Sequence, residues 1–188
     1  MTTLRLITSN PGKVREFEGE LGRLGISIQH SRVGYPEIQG DDLDEVVEFA
    51  LDHLQGEMSD LIIDDSGLFI DALEGFPGVY SAFVLRTLGC EGILRLMEGR
   101  EYREAAFRCC IGCQLGDGGR LVITEETRGS IANEERGEEG FGFDPIFVPS
   151  GHDITFAEMD LEEKNRISHR GRAVRAFAKA LEERHGTG

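Results

Sequence analysis

Residues 104–131 restrict the fold more than any other stretch. Two runs of alternating apolar and polar side chains flank Gly116, Asp117, Gly118 and Gly119. A period of two on both sides of a glycine-rich turn implies a long antiparallel hairpin. The chain opens differently. Residues 4–8 form a short apolar run, SNPGK (9–13) interrupts it, and Val14, Phe17, Leu21 and Leu24 then recur at helical spacing, which reads as strand, turn, helix. Residues 26–30 read as a second strand. Leu43, Val46, Val47, Ala50, Leu51, Leu54 and Met58 mark a helix whose start carries Asp41, Asp42 and Asp44, where the helix dipole favours anions. Residues 60–64 (DLIID) form a buried-type strand that runs into a loop dense in Gly and Pro over 65–81. Ile93, Leu94, Leu96 and Met97 suggest a short helix, and residues 145–149 a further strand. From Leu161 onward, Val174, Phe177, Ala178 and Leu181 mark a final amphipathic helix. Strands and helices that alternate and are followed by a hairpin predict an α/β fold with a mixed sheet rather than an all-parallel one.

The 188 residues show no repeat and no linker rich in Pro, Gly or Ser, so one domain spanning 1–188 is expected. No run approaches the roughly 18 apolar residues of a membrane span, and MTTLRLITSN lacks the features of a secretory signal. A cytoplasmic protein with no membrane partner is expected. The net charge of −15 disfavours general attraction to nucleic acid. Only Lys13, Lys164 and Lys179 are lysines, against 17 arginines. A lysine-poor, acid-rich composition of this kind suits high intracellular salt, as in a halophilic archaeon, and also occurs in ordinary acidic proteins. Cys109, Cys110 and Cys113 invite a zinc reading, but Phe107, Cys109, Ile111, Cys113 and Leu115 alternate along one strand face. That spacing favours small buried hydrophobes over ligands, and free thiols suit a reducing compartment.

Four segments carry chemistry. SNPGK places backbone N–H groups and Lys13 at a helix start, which makes either an anion site or an ordinary βα turn; the spacing is not that of a Walker A loop. Asp64, Asp65, Ser66 and Gly67 follow an apolar strand. Adjacent carboxylates suggest a Mg²⁺ site and a base for water, with an N-cap or Asx-turn as the alternative. Glu37 is a possible third oxygen ligand or a solvated loop glutamate. GFGFDPIF (140–147) offers Phe141 and Phe143 as a stacking platform or as a core turn, with Asp144 as an acceptor. KNRISHRGRAVR (164–175) holds five Lys/Arg plus His169 and no acid. It reads as a solvated face or as a clamp for a polyanion. Together these are the parts of a nucleotide polyphosphate site.

SNPGK, DDSGLFIDALEGFPGVYSA, GFGFDPIF and TFAEMDLEEKNRISHRGRA resemble, in content and order, the signature segments of the inosine triphosphate pyrophosphatase family, which hydrolyses ITP, dITP and XTP. The resemblance implies an elongated mixed β-sheet flanked by helices, two lobes with a central substrate cleft, a homodimer, and Mg²⁺-dependent cleavage to nucleoside monophosphate and pyrophosphate. Carried over, Thr8, Ser9, Asn10 and Lys13 hold phosphate, and Glu37, Asp64 and Asp65 surround the metal, with Asp65 activating water. Ser66, Phe141, Phe143, Asp144, Lys164, Ser168, His169 and Arg170 then surround the base. A donor from His169 or Arg170 facing the O6 edge would favour hypoxanthine and xanthine over adenine. Many relatives carry Asn-Ala-x-x-Lys on the helix after the acidic loop. Phe49 and His53 stand there in this chain, a departure from the pattern that leaves His53 in the place of the lysine and the helix without its expected phosphate ligand. A regulatory module without turnover, and a pyrimidine or sugar-nucleotide pyrophosphatase, are the alternatives.

Overall fold

The computed structural model describes residues 3–23, 25–36, 38–56 and 60–186. A single six-stranded sheet runs in the order β2-β1-β3-β4-β5-β6. β1 (Thr3–Ile7), β2 (Ser27–Ser31) and β3 (Leu61–Ile70) are parallel, and β3, β4 (Glu104–Gln114), β5 (Arg120–Ile131) and β6 (Phe147–Pro149) are successively antiparallel. The mixed sheet and the long hairpin are as the sequence predicts. Its turn is built as the composition demands: Asp117 accepts from Gly119 N at 2.8 Å, and Gly118 takes a positive φ of 85°.

Helices cover both faces. α1 (Pro11–Arg23) and α6 (His169–Gly186) lie over one apolar cluster containing Leu4, Phe17, Leu21, Ile62, Cys109, Ile111, Cys113 and Phe177. α2 (Leu43–Leu54) covers the other face with Val47, Leu51, Leu61, Ile63, Phe69 and Cys110. A third cluster, beyond the end of β1, joins Leu68 and Ile70 to α3 (Ser81–Thr87), α4 (Gly89–Leu96), Phe107, Phe147 and Phe156. The four cysteines are buried and free. Their places follow the strand period, because Cys109 and Cys113 face α6 while Cys110 faces α2.

Three expectations need correction. The strand at 60–64 does not end in a loop: β3 continues to Ile70, and ten of its residues pair with β4. Gly67 marks a close approach rather than a turn, since a Cβ there would stand 2.3 Å from the Gly78 carbonyl oxygen. The C-terminal helix is two helices, α5 (Leu161–Ile167) and α6, because Ser168 is extended and its Oγ accepts from Gly171 N at 3.1 Å, capping α6. Residues 145–149 are half strand only, since Pro145 lies in a 3₁₀ turn (Asp144–Ile146) before β6. α3 is an element the apolar spacing did not mark. Leu24 and Met58, read as helical, lie outside the described residues.

Candidate active site

The site forms where the two parallel strands stop matching. β1 pairs with β3 only as far as Ile7 opposite Ile63, and along that edge β3 is next met by a bridge between Phe69 and Pro77. Crevices at the carboxyl ends of parallel strands are where α/β folds bind ligands. The β1–α1 turn enters this gap. Asn10 caps α1, its Oδ1 accepting from Gly12 N at 2.8 Å, and Thr8 Oγ1 accepts from Asn10 N at 3.1 Å. The first turn of α1 carries no acid, so its positive end is left to an anion.

Strand alternation separates the two aspartates. Asp64 and Ser66 face α1 and α6, in line with Ile62 and Leu68, whereas Asp65 lies with Ile63 and Phe69 on the other side. Asp64 is fully buried between cations: Arg170 Nε donates to its Oδ2 at 3.0 Å, and Lys13 Nζ lies 3.1 Å from Oδ1 while donating to the Asp64 main-chain oxygen at 3.0 Å. Burial opposes its charge, but Lys13 and Arg170 outweigh burial and hold the carboxyl below its ordinary range. Asp65 is half-buried at the cleft, and its Oδ1 accepts from Ser66 N at 2.9 Å.

The cationic segment is met by buried carboxylates, of which the sequence reading names Asp64 and Asp144 but not Glu16. Lys164 Nζ donates to Glu16 Oε1 and to Asp144 Oδ2, both at 2.8 Å, and Arg170 Nη1 donates to Glu16 Oε2. Lys13, Asp64, Arg170, Glu16, Lys164 and Asp144 thus form a chain of alternating charge, three cations and three carboxylates, linking α1, β3, the 144–146 turn, α5 and α6. Burial resists ionisation of Glu16, yet Arg170 and Lys164 hold it below the usual carboxylate range; for Asp144 burial wins over Lys164 and the carboxyl is raised. Gly12, Glu16 and Glu20 are buried at a spacing of four beside the apolar stripe of α1.

A cavity of about 130 Å³ lies against this chain. Asn10, Lys13, Asp65, Ser66, Phe141, Phe143, Asp144, Lys164, His169 and Arg170 line it, so most of the expected residues meet. Ser168 does not line it, being wholly buried as the α6 cap, and neither do Thr8 and Ser9, which shape the turn behind it. Glu37 lies outside the described residues. Ser81, Ala82, Leu85 and Phe107 complete the wall and were not anticipated. The His169 ring stacks on Phe107, centroids 4.7 Å apart and 9° from parallel. Burial and then Arg170, Lys164 and Lys13 hold His169 well below its ordinary pKa, so the imidazole is neutral. Arg170 gives Nε to Asp64, Nη1 to Glu16 and Nη2 to Ser66 Oγ at 2.8 Å. A guanidinium so committed ties the site together.

These features define an α/β protein with a ligand crevice at the carboxyl end of its parallel strands, lined by cations and aromatic rings. The chain belongs to the Ham1 family, whose model matches residues 4–180. It is 54% identical over 172 residues to the dITP/XTP pyrophosphatase of Pyrococcus horikoshii, covering 91% of this chain and 92% of that one. The dITP/XTP pyrophosphatase of Thermococcus kodakarensis is 51% identical, with 96% and 97% covered. Among solved structures, a HAM1 protein from Coxiella burnetii superposes with a TM-score of 0.83 at 32% identity, covering 97% of this chain and all of that one.

Proposed function

We propose that this protein hydrolyses non-standard purine nucleoside triphosphates of the dITP and XTP type to the monophosphate and pyrophosphate. The observation that carries this reading is the convergence, in one crevice, of the acid-free start of α1 with Lys13, the accessible carboxylate of Asp65, and walls of Phe141, Phe143 and His169 on Phe107. The names of the relatives support it. In this reading Asn10 and Lys13 hold the phosphates, and the aromatic walls hold the ring. Asp65 takes a proton from water as its oxygen bonds to the α-phosphorus, and the α–β bridging P–O bond breaks with pyrophosphate leaving.

The donor set suits Mg²⁺, which binds through one or two carboxylates together with substrate phosphates. Asp65 is the ligand of choice in the described part of the site, because its half-buried carboxylate lines the cavity and Asp64 does not; Glu37 joins this proposal from the sequence alone. The ion would neutralise phosphate charge and so ease departure of pyrophosphate. We assign a homodimer and a cytoplasmic location on the same resemblance; no helix among the described residues is long and apolar enough to cross a membrane. A panel of nucleoside triphosphates incubated with the protein and Mg²⁺, with products separated by ion exchange, tests the reading. Monophosphate and pyrophosphate from ITP and XTP well above ATP and GTP are expected. Diphosphate and orthophosphate, or no turnover, would reject it.

A further inference from the structure

Phe141 reaches the crevice from the 140–144 turn, yet it is held at both ends by elements distant in sequence. Its main-chain N–H donates to Asp144 Oδ2 at 2.7 Å, and Asp144 in turn accepts from Lys164. Lys164 Nζ also stands 4.7 Å from the centre of the ring. On its other side the ring lies against α1 at Gly12. A Cβ built on Gly12 would fall 2.5 Å from Phe141 Cδ1 and 2.7 Å from Cε1, distances no real pair of carbons tolerates. Gly12 is not in the left-handed region, and its N–H makes the same cap bond to Asn10 that any residue would make. Backbone freedom therefore does not account for glycine here. Ordinary helix propensity would favour alanine.

We propose that Gly12 is a positioning residue: its bare Cα seats the Phe141 ring on the first turn of α1, so that the phosphate-binding turn and the base wall move as one body. The same ring lines both the 130 Å³ cavity and a neighbouring one of about 190 Å³ bounded in part by Gly12, Glu16, Met159 and Lys164. Its seat thus fixes where one cavity ends and the next begins. A ring lifted from Gly12 would shift that boundary and misplace the face offered to a purine, leaving the phosphate contacts of Asn10 and Lys13 in place. This deepens the functional reading above and depends on Phe141 being a base wall.

The test is a double-mutant cycle of Gly12→Ala and Phe141→Ala, read by KM for ITP, by the inhibition constant of pyrophosphate, which has no base, and by a crystal structure of Gly12→Ala. Gly12→Ala is expected to displace the ring and to raise KM for ITP by about five-fold or more, to leave pyrophosphate inhibition within about two-fold, and to add little once Phe141 is alanine. An unmoved ring, an unchanged KM, an equal loss of pyrophosphate affinity, or a full additional loss in the Phe141→Ala background would each overturn the seat. Failure of the wild-type protein to hydrolyse ITP would instead reject the functional reading, and the ring position would still be decided by the crystal structure.

Discussion

Asp64 and Asp65 are neighbours in sequence and face opposite sides of the sheet, which gives them different expected phenotypes. Asp65→Asn keeps size and removes the proton acceptor, so turnover of ITP should fall by roughly 10²-fold or more with the melting temperature nearly unchanged; near-normal turnover would move the base elsewhere. Asp64→Asn leaves Lys13 and Arg170 without their shared counter-ion inside the protein. Breaking a buried pair in this way costs on the order of 3–5 kcal/mol, visible as a lower urea midpoint, and an unchanged midpoint would show that the charge chain contributes nothing to stability. His169 adds a pH dependence with a definite sign. The folded chain keeps the ring neutral, whereas an ordinary imidazole takes up a proton near pH 6.5. Below that pH the unfolded state binds a proton that the folded state refuses, so stability is full above it and declines as pH falls. The wild-type advantage over His169→Gln should therefore shrink between about pH 7.5 and pH 5. A constant difference across that range would mean that the ring takes up its proton alike in the folded and unfolded states.

At the scale of elements, long-range pairing decided what local signals could not. Asp65-Ser66-Gly67 has the composition of a turn, but β4 offers ten partners in register, and the ladder carries β3 through the glycine. The hairpin, α1 and α2 were legible because their periods are long and regular. α3 spans seven residues in a Gly- and Pro-rich setting, too few for a period to emerge. The site was legible in the same graded way. Motif residues in turns and at helix starts, such as Asn10, Lys13, Phe141 and His169, line one cavity, whereas Glu16 pairs with residues 148 and 154 positions away, and no local pattern names those partners. Gly67 allows a direct check on the strand reading. Gly67→Ala should cost roughly 1–3 kcal/mol as the Gly78 backbone is pushed away, with loss of the α3 wall of the cleft. Gly22→Ala in α1, where a Cβ meets nothing within 4 Å, should be neutral or stabilising. Equal effects in urea unfolding would contradict the close approach at Gly67.

For the whole molecule, the buried charge chain sums to zero, so the net charge of −15 is carried by the rest of the protein. Salt acts differently on the two populations. The internal pairs are shielded from ions by burial and change little with ionic strength, while the excess of surface carboxylates repels itself over a Debye length of roughly 30 Å at 0.01 M and only about 3 Å at 1 M. Exposed ion pairs such as Arg95 with Glu91 and Lys179 with Glu183 lose attraction as salt rises, but each is worth about 1 kcal/mol at most. With 35 acidic against 20 basic side chains, relief of repulsion outweighs the loss of these pairs. The melting temperature should therefore rise from 0.01 M toward molar KCl, and most steeply at the low-salt end where screening changes fastest. Charge screening also separates two explanations of the composition. If general screening is the cause, NaCl and KCl at equal concentration should stabilise alike, and Asp→Asn changes at exposed positions should flatten the rise. A melting temperature that is flat or falls with KCl would remove the salt-adaptation reading and leave the active-site proposal standing on its own geometry.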